Sequence, residues 1–297
     1  MNIFRVIDEY QPIFPDSIIE KHIQKIKEQS VVPFNSMNLK KIFSMIDLTS
    51  LNTDDSEAKI VALCEKVNNF SKYYPSIPNV AAICVSPSLV AAVNRNLKNR
   101  DIKIASVAGG FPSSQTFLEV KIEETKIALQ MGANEIDIVI SVGDFLSGNL
   151  EKVYDEICAI KATTGEKHLK VILETGALRS SENIYRASIL AMEAGADFIK
   201  TSTGKLNPAA SLNAVLIMAY AVKEFHIKTT RKVGIKPAGG ISTAKQAFEY
   251  YSIISHILKG EWLNSELFRF GASRLANDLL NRIIEMESGK TSDLSYF

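Results

Sequence analysis

Cysteine is scarce: three in 297 residues, at Cys64, Cys84 and Cys158, with no Cys-x-x-Cys pair. That odd, scattered set excludes a disulfide framework and fits a reducing compartment. The four histidines, His22, His168, His226 and His256, show neither His-x-His nor His-x3-His spacing, so no metal site is expected. A dinucleotide fingerprint is missing too, so no dinucleotide cofactor is expected. Neither sign of charge is in excess: 34 Lys and Arg face 33 Asp and Glu, a formal net charge of +1. That balance argues against a broad grip on nucleic acid, and the lysine-rich stretch Lys223–Lys236 carries a strand rather than a basic patch. No run of about 18 apolar residues occurs, so no membrane span is expected. The first residues place Asp8 and Glu9 where a signal peptide would be apolar, so a cytoplasmic location is expected. Nine Pro and fifteen Gly are too few for a low-complexity chain, and 46% hydrophobic with 23% charged residues is ordinary globular composition.

What is present is a rhythm repeated eight times. Short runs rich in Val and Ile alternate with amphipathic stretches, as buried parallel strands alternate with covering helices. The expected strands are Ile42–Leu48, Val80–Val85, Lys103–Ala108, Glu135–Ser141, Leu169–Glu174, Asp197–Thr201, Val233–Pro237 and Leu267–Gly271. The expected helices are Ser56–Val67, Pro87–Leu97, Thr116–Met131, Leu150–Lys161, Ser181–Glu193, Ala209–Phe225, Thr243–Leu258 and Ser273–Met286. In the first, Ile60, Leu63, Cys64 and Val67 fall on one helical face. Eight such units over about 250 residues imply a single-domain (β/α)8 barrel, an α/β fold. An open doubly wound sheet would show a glycine-rich turn after its first strand, where this chain has Ser50-Leu-Asn-Thr. Residues 1–38 read as an N-terminal extension whose helix, Asp16–Glu28, lines up Ile18, Ile19, His22, Ile23 and Ile26. Residues 39–287 are the barrel, and 288–297 read as a flexible tail.

The informative residues are charges inside strands, because an unpaired buried charge is very costly. Asp47, Asp137, Lys170, Lys200 and Lys236 all sit within or at the end of expected strands. A structural salt-bridge network is the plain alternative, but apolar packing could replace such a network at little loss. A lysine attacks a carbonyl only as the neutral amine, so its pKa must fall from about 10.4 towards neutrality. Burial and a second ammonium nearby both do this. Lys200 and Lys236 lie on consecutive strands, and Asp137 offers a carboxylate for proton transfer. The loops after strands 6, 7 and 8 carry Ser202-Thr203-Gly204-Lys205, Ala238-Gly239-Gly240-Ile241-Ser242 and Gly271-Ala272-Ser273. Loops at these positions form the common phosphate site of this fold, with glycine N–H groups and a helix start facing the anion.

At these residues the sequence resembles a family. The string Ala194-Gly-Ala-Asp-Phe-Ile-Lys-Thr-Ser-Thr-Gly-Lys resembles the active-site strand of deoxyribose-phosphate aldolases, and Ile235-Lys-Pro-Ala-Gly-Gly-Ile resembles their second lysine motif. Met45-Ile-Asp-Leu-Thr, Ala81-Ala-Ile-Cys-Val, Glu135-Ile-Asp-Ile-Val, Leu169-Lys-Val-Ile-Leu-Glu-Thr-Gly and Phe270-Gly-Ala-Ser are similar as well. The similarity covers about residues 40–287. It implies a lyase of deoxyribonucleotide catabolism that reversibly cleaves 2-deoxy-D-ribose 5-phosphate to D-glyceraldehyde 3-phosphate and acetaldehyde without metal or cofactor. By the same resemblance Lys200 forms the Schiff base, Asp137 donates and accepts protons, and Lys236 tunes the amine. Asp47, Cys84, Lys170 and Thr203 would contact substrate, and Gly204, Lys205, Gly239, Gly240, Gly271 and Ser273 would hold its phosphate. The partner is then a small phosphorylated sugar, and homo-oligomers stay open.

The sequence departs from many bacterial members at three places. Ser242 stands where they carry Arg, and Arg274 where they carry a second Ser, as though an arginine had changed loops. They often end in a Tyr associated with proton transfer, whereas here Tyr296 is followed by Phe297. Two other readings remain open. A transaldolase-like aldolase would keep lysine chemistry but lack the two-lysine pattern. A phosphosugar-binding barrel would keep the glycine loops without needing Asp137.

Overall fold

The computed structural model describes residues 3–10, 15–29 and 32–297. Eight short parallel strands follow one another in chain order: β1 (Ile46–Thr49), β2 (Ala82–Val85), β3 (Lys103–Val107), β4 (Glu135–Val139), β5 (His168–Ile172), β6 (Phe198–Lys200), β7 (Gly234–Lys236) and β8 (Phe270–Ala272). β8 pairs back onto β1, with Asp47 opposite Gly271. The remaining seam, between β7 and the segment leading into β8, is closed by three backbone hydrogen bonds: Ile235 N to Leu267 O (3.0 Å), Arg269 N to Ile235 O (3.1 Å) and Gly271 N to Pro237 O (2.9 Å). The fold is a (β/α)8 barrel.

The helices are α1 (Ile3–Asp8), α2 (Asp16–Glu28), α3 (Ser36–Phe43), α4 (Glu57–Tyr73), α5 (Val90–Asn96), α6 (Leu118–Gln130), α7 (Val142–Leu146), α8 (Leu150–Thr164), α9 (Thr175–Leu178), α10 (Ser181–Glu193), α11 (Leu212–Thr229), α12 (Ala244–Leu258) and α13 (Leu275–Ser288). Their starts are written locally. Asn35, Ser56, Ser180, Ser211 and Thr243 each accept a hydrogen bond from the backbone N–H three residues on, and Gln246 completes a capping box with Thr243. Among the described residues no helix is long and apolar enough to cross a membrane.

Side-chain alternation splits the barrel wall into two environments. Outward residues such as Ile83, Ile104, Ile136, Val171 and Ile199 join the large apolar core under the helices. Inward residues of β2 and β3, namely Ala82, Cys84, Ala105 and Val107, form a small separate apolar cluster. β1, β4, β5, β6 and β7 instead turn charges inward, and Arg269 joins them from just before β8.

Two sequence expectations need correction. Ile42 and Phe43 belong to the end of α3, so β1 starts four residues later than expected and the boundary at residue 38 falls inside a helix. Both residues are fully buried, and a short apolar run looks the same in a buried helix end as in a strand. The tail is not free of the barrel. Asn281 pairs with the backbone of Leu294 and Asn277 with that of Phe297, so the chain runs back along α13. Phe297 then packs on Phe43 and Phe70, and the Tyr296 hydroxyl donates to Lys66 O at 2.7 Å. The extension lies on the outer helices, α1 against α8 and α10, and α2 against α11 and α12.

Candidate active site

Register brings the inward charges together. Asp137 sits opposite Lys170 across β4 and β5, and Lys200 opposite Lys236 across β6 and β7. Asp137 is the hub. Its Oδ2 accepts from Lys200 Nζ and from Lys236 Nζ, both at 2.8 Å, and its Oδ1 from Lys170 Nζ at 3.2 Å. Lys236 Nζ also lies 2.5 Å from Asp47 Oδ2, and Lys170 Nζ 2.5 Å from Glu135 Oε2. Arg269 completes the set from the residue before β8. Its guanidinium donates to Asp47 Oδ1 at 2.6 Å and to Glu135 Oε1 at 3.1 Å. None of these seven side chains is more than 3% exposed.

Burial opposes ionisation of every member, and the partners decide the outcome. For Asp137 the three ammonium groups outweigh burial and hold the carboxyl well below its usual range. Asp47 and Glu135 are held down in the same way by their cations. Burial pulls the lysines towards neutrality, yet for Lys236 the pull of Asp137 and Asp47 wins, and for Lys170 that of Asp137, Glu135 and Asp47. Both are therefore raised. Lys200 goes the other way: burial, helped by the Lys236 charge, outweighs Asp137 and lowers it. Burial is the leading cause, and the repulsion from Lys236 adds to it.

Above this cluster lies a cavity of about 220 Å³, lined by Thr49, Leu51, Asn52, Lys200, the β6–α11 loop and the loops after β7 and β8. Lys200 is the only member of the cluster that lines it. Thr203, Gly204, Lys205, Gly239, Gly240, Gly271, Ser273 and Arg274 all meet there, as the sequence leads one to expect. Asp47, Cys84 and Lys170, expected at the substrate, lie beneath the cavity without lining it. Cys84 is fully buried, and its thiol is pushed up by that burial. A larger groove of about 700 Å³ between α12 and α13 carries no comparable buried charge cluster, so chemistry rather than size locates the site.

The loops are held by their own side chains. Thr201 and Ser202 donate to Ala238 O, tying the β6 and β7 loops together. The Thr203 hydroxyl donates to buried Glu174 at 2.6 Å, so Thr203 fixes the loop. Gly239 has φ +87°, and a Cβ there would meet Ala209 Cβ at 2.8 Å and Gly204 Cα at 2.9 Å, so only glycine fits. Among the described residues, the N–H groups of Gly204, Gly239, Gly240 and Ser273 donate to no protein acceptor. Two expectations change. The N–H of Gly271 closes the barrel seam, and its missing side chain gives room to Lys236 Cε, 3.1 Å from where a Cβ would stand. The first N–H groups around α12 are taken by Gln246 and Asp278, so the start of α13 is the freer helix end at the cavity. Lys205 Nζ reaches across to Leu51 O at 2.6 Å.

Arg269, Glu135 and Glu174 are the residues that motif reading passes over as individuals. The signal was there for Arg269: it is a charge inside the run Leu267-Phe-Arg-Phe-Gly, just as Lys170 is inside its strand.

Comparison with known proteins finds relatives of one family and one fold. Residues 41–251 match the model of the DeoC/LacD family of aldolases. A Caenorhabditis elegans relative, provisionally named a deoxyribose-phosphate aldolase, is 43% identical over 269 residues, covering 90% of this chain and 88% of its own. The human deoxyribose-phosphate aldolase is 41% identical over 267 residues, 85% of this chain and 82% of its own. A Toxoplasma gondii crystal structure, also provisionally named a deoxyribose-phosphate aldolase, superposes with TM-score 0.75 over 86% of this chain and 96% of that one. At 21% identity it speaks for the fold alone.

Proposed function

This chain belongs to the DeoC/LacD family of aldolases, and from that premise we propose that it reversibly cleaves 2-deoxy-D-ribose 5-phosphate through a Schiff base on Lys200. The observation that carries this reading is that Lys200 alone of the buried cluster reaches the cavity, and it is the lysine pulled towards neutrality. Neutral Nζ attacks the C1 aldehyde, and the carbinolamine takes up a proton and loses water to leave an iminium ion. A proton leaves the C3 hydroxyl, the C2–C3 bond breaks, and its electron pair moves into the iminium as D-glyceraldehyde 3-phosphate departs. The remaining enamine takes a proton at C2, and hydrolysis releases acetaldehyde, the amine and the proton taken up at the start. The iminium is the electron sink, so the step needs no further group. Asp137 and Lys236, hydrogen-bonded to one another at 2.8 Å, form the path that takes and returns the proton.

The phosphate would sit at the far end of the cavity, on the N–H groups of Gly204, Gly239, Gly240 and Ser273 and the start of α13. Lys205 and Arg274 supply the full positive charge there, with Arg274 serving in place of the arginine that Ser242 lacks. The test is acetaldehyde release from 2-deoxy-D-ribose 5-phosphate by the wild type and by Lys200→Arg. A guanidinium stays protonated and cannot form the imine, so the variant should be inert. Comparable release by both proteins would sink the reading.

A further inference from the structure

The charges inside the barrel do not balance when all are ionised. Asp47, Glu135 and Asp137 supply three negative charges, while Lys170, Lys200, Lys236 and Arg269 supply four positive ones. A fourth buried carboxylate, Glu174 beyond the end of β5, accepts from the Thr203 hydroxyl and N–H and, among the described residues, forms no ion pair with these cations. β2 offers only the neutral thiol of Cys84, β3 offers Ala105 and Val107, and His168 reaches Glu135 at 3.7 Å from the mouth-distal end of β5. Within this network one cation is therefore in excess. Releasing a proton from the member that lines the cavity, Lys200, makes the network neutral.

Arg269 sets that balance. It is buried at 1% exposure and bridges Asp47 and Glu135, the two carboxylates that do not touch Lys200. Its Nε is anchored to Ser265 O, and its guanidinium stacks near the Phe198 ring at 5.9 Å. A guanidinium cannot give up its proton in a protein, so this cation is permanent. Without it, Glu135 would keep Lys170 and, at 3.7 Å, His168, while Asp47 would keep Lys236 and, at 3.7 Å, Lys170. Three anions would then face three lysines, and Lys200 would have to stay charged to match them.

We infer that Arg269 is a positioning residue for the amine chemistry: by holding Asp47 and Glu135 it supplies the third fixed cation, so that this ion-pair network is neutral only when Lys200 is uncharged. This rests on the reading of Lys200 as the reacting amine.

The experiment follows the pH dependence of borohydride trapping of acetaldehyde on Lys200, with the adduct located by peptide mass. Arg269→Met should move the midpoint up by about one pH unit, cutting trapping near pH 7 roughly tenfold. Arg269→Lys keeps the charge and should leave the midpoint near that of the wild type. Glu135→Gln removes an anion and should move it down. The double variant, Arg269→Met with Glu135→Gln, restores the count and should bring the midpoint back. A merely structural role for Arg269 would lower the rate at every pH and move no midpoint. Unmoved midpoints, or shifts of the same sign for Arg269→Met and Glu135→Gln, overturn the inference. If Arg269→Met shows no cooperative melting, Glu135→Gln and the double variant decide it by the same criterion. Wild-type protein that gives no adduct on Lys200 overturns the proposed function instead, and that is seen before any variant is compared.

Discussion

Replacing Lys236 by Met keeps an unbranched side chain of similar reach and removes one charge. The Nζ atoms of Lys200 and Lys236 each lie 2.8 Å from Asp137 Oδ2, so they are at most about 5.6 Å apart. Two unit charges at about that distance interact by roughly 3 kcal/mol at an effective dielectric of about 20. At about 1.4 kcal/mol per unit, this corresponds to about two pKa units before burial is set against it. The sign is set by what remains. Lys200 loses a like charge, and Asp137 loses one of its two closest donors, so its attraction for the Lys200 ammonium does not weaken. Both changes favour protonated Lys200. Burial still opposes them and reduces the shift. The alkaline-side rise of Schiff-base formation should therefore move up by about one unit, with trapping near pH 7 falling roughly tenfold. The assay is the initial rate of reductive trapping of acetaldehyde across about pH 6 to 10. The pair titrates jointly, so the shift belongs to the site. A rate reduced equally at every pH, with the rise unmoved, would refute the reasoning and leave burial alone as the activator of Lys200.

Lys205→Ala should raise KM for 2-deoxyribose 5-phosphate at least about tenfold while changing that for free deoxyribose little, because only the phosphate meets the ammonium; equal effects on both sugars would place Lys205 away from it. Gly239→Ala puts a methyl 2.8 Å from Ala209 Cβ in a left-handed backbone, and should weaken competitive inhibition by inorganic phosphate as well as lower Tm; unchanged inhibition would remove Gly239 from the anion site. Phe297→Ala should cost about 1–2 kcal/mol in denaturant unfolding, since the ring packs on Phe43 and Phe70, with the pH profile of trapping unchanged; a changed profile at constant stability would bring the tail into the chemistry. The depressed carboxyls of Asp47, Glu135 and Asp137 contribute stability that is complete above their unfolded pKa values of about 4 and is lost as pH falls towards their folded ones. Wild-type unfolding free energy should thus fall steeply below about pH 4, and a flat acid limb would contradict the burial and pairing described.

The barrel was legible because most of its strands are compact Val- and Ile-rich runs followed by amphipathic stretches, and because side chains such as Ser56, Ser180 and Thr243 mark helix starts by chemistry that acts over three residues. Lys200, Lys236 and Asp137 were legible for a different reason: a charge inside a buried strand must have a partner, and strand order supplies it. What stayed hidden depends on contacts distant in sequence. Arg269 and Glu135 are 134 residues apart, and nothing local says that one neutralises the other. Gly271 looks like another phosphate-loop glycine, and only the closed seam reveals that its N–H is already used and that Lys236 needs its space. The tail reads as polar and free, because its fit depends on Asn277, Asn281 and an aromatic cleft formed by Phe43 and Phe70. Ile42 reads as strand because burial, which helix ends and strands share, was its strongest signal.

The central claim is that one amine, that of Lys200, is poised at the cavity to attack an aldehyde. It is tested most directly by reducing the wild-type protein with borohydride in the presence of acetaldehyde and sequencing the modified peptide by mass spectrometry. The expected result is a single two-carbon adduct on Lys200, lost when 2-deoxyribose 5-phosphate is cleaved and washed out before reduction. An adduct on Lys170 or Lys236 instead, or none on any of the three, would contradict the account.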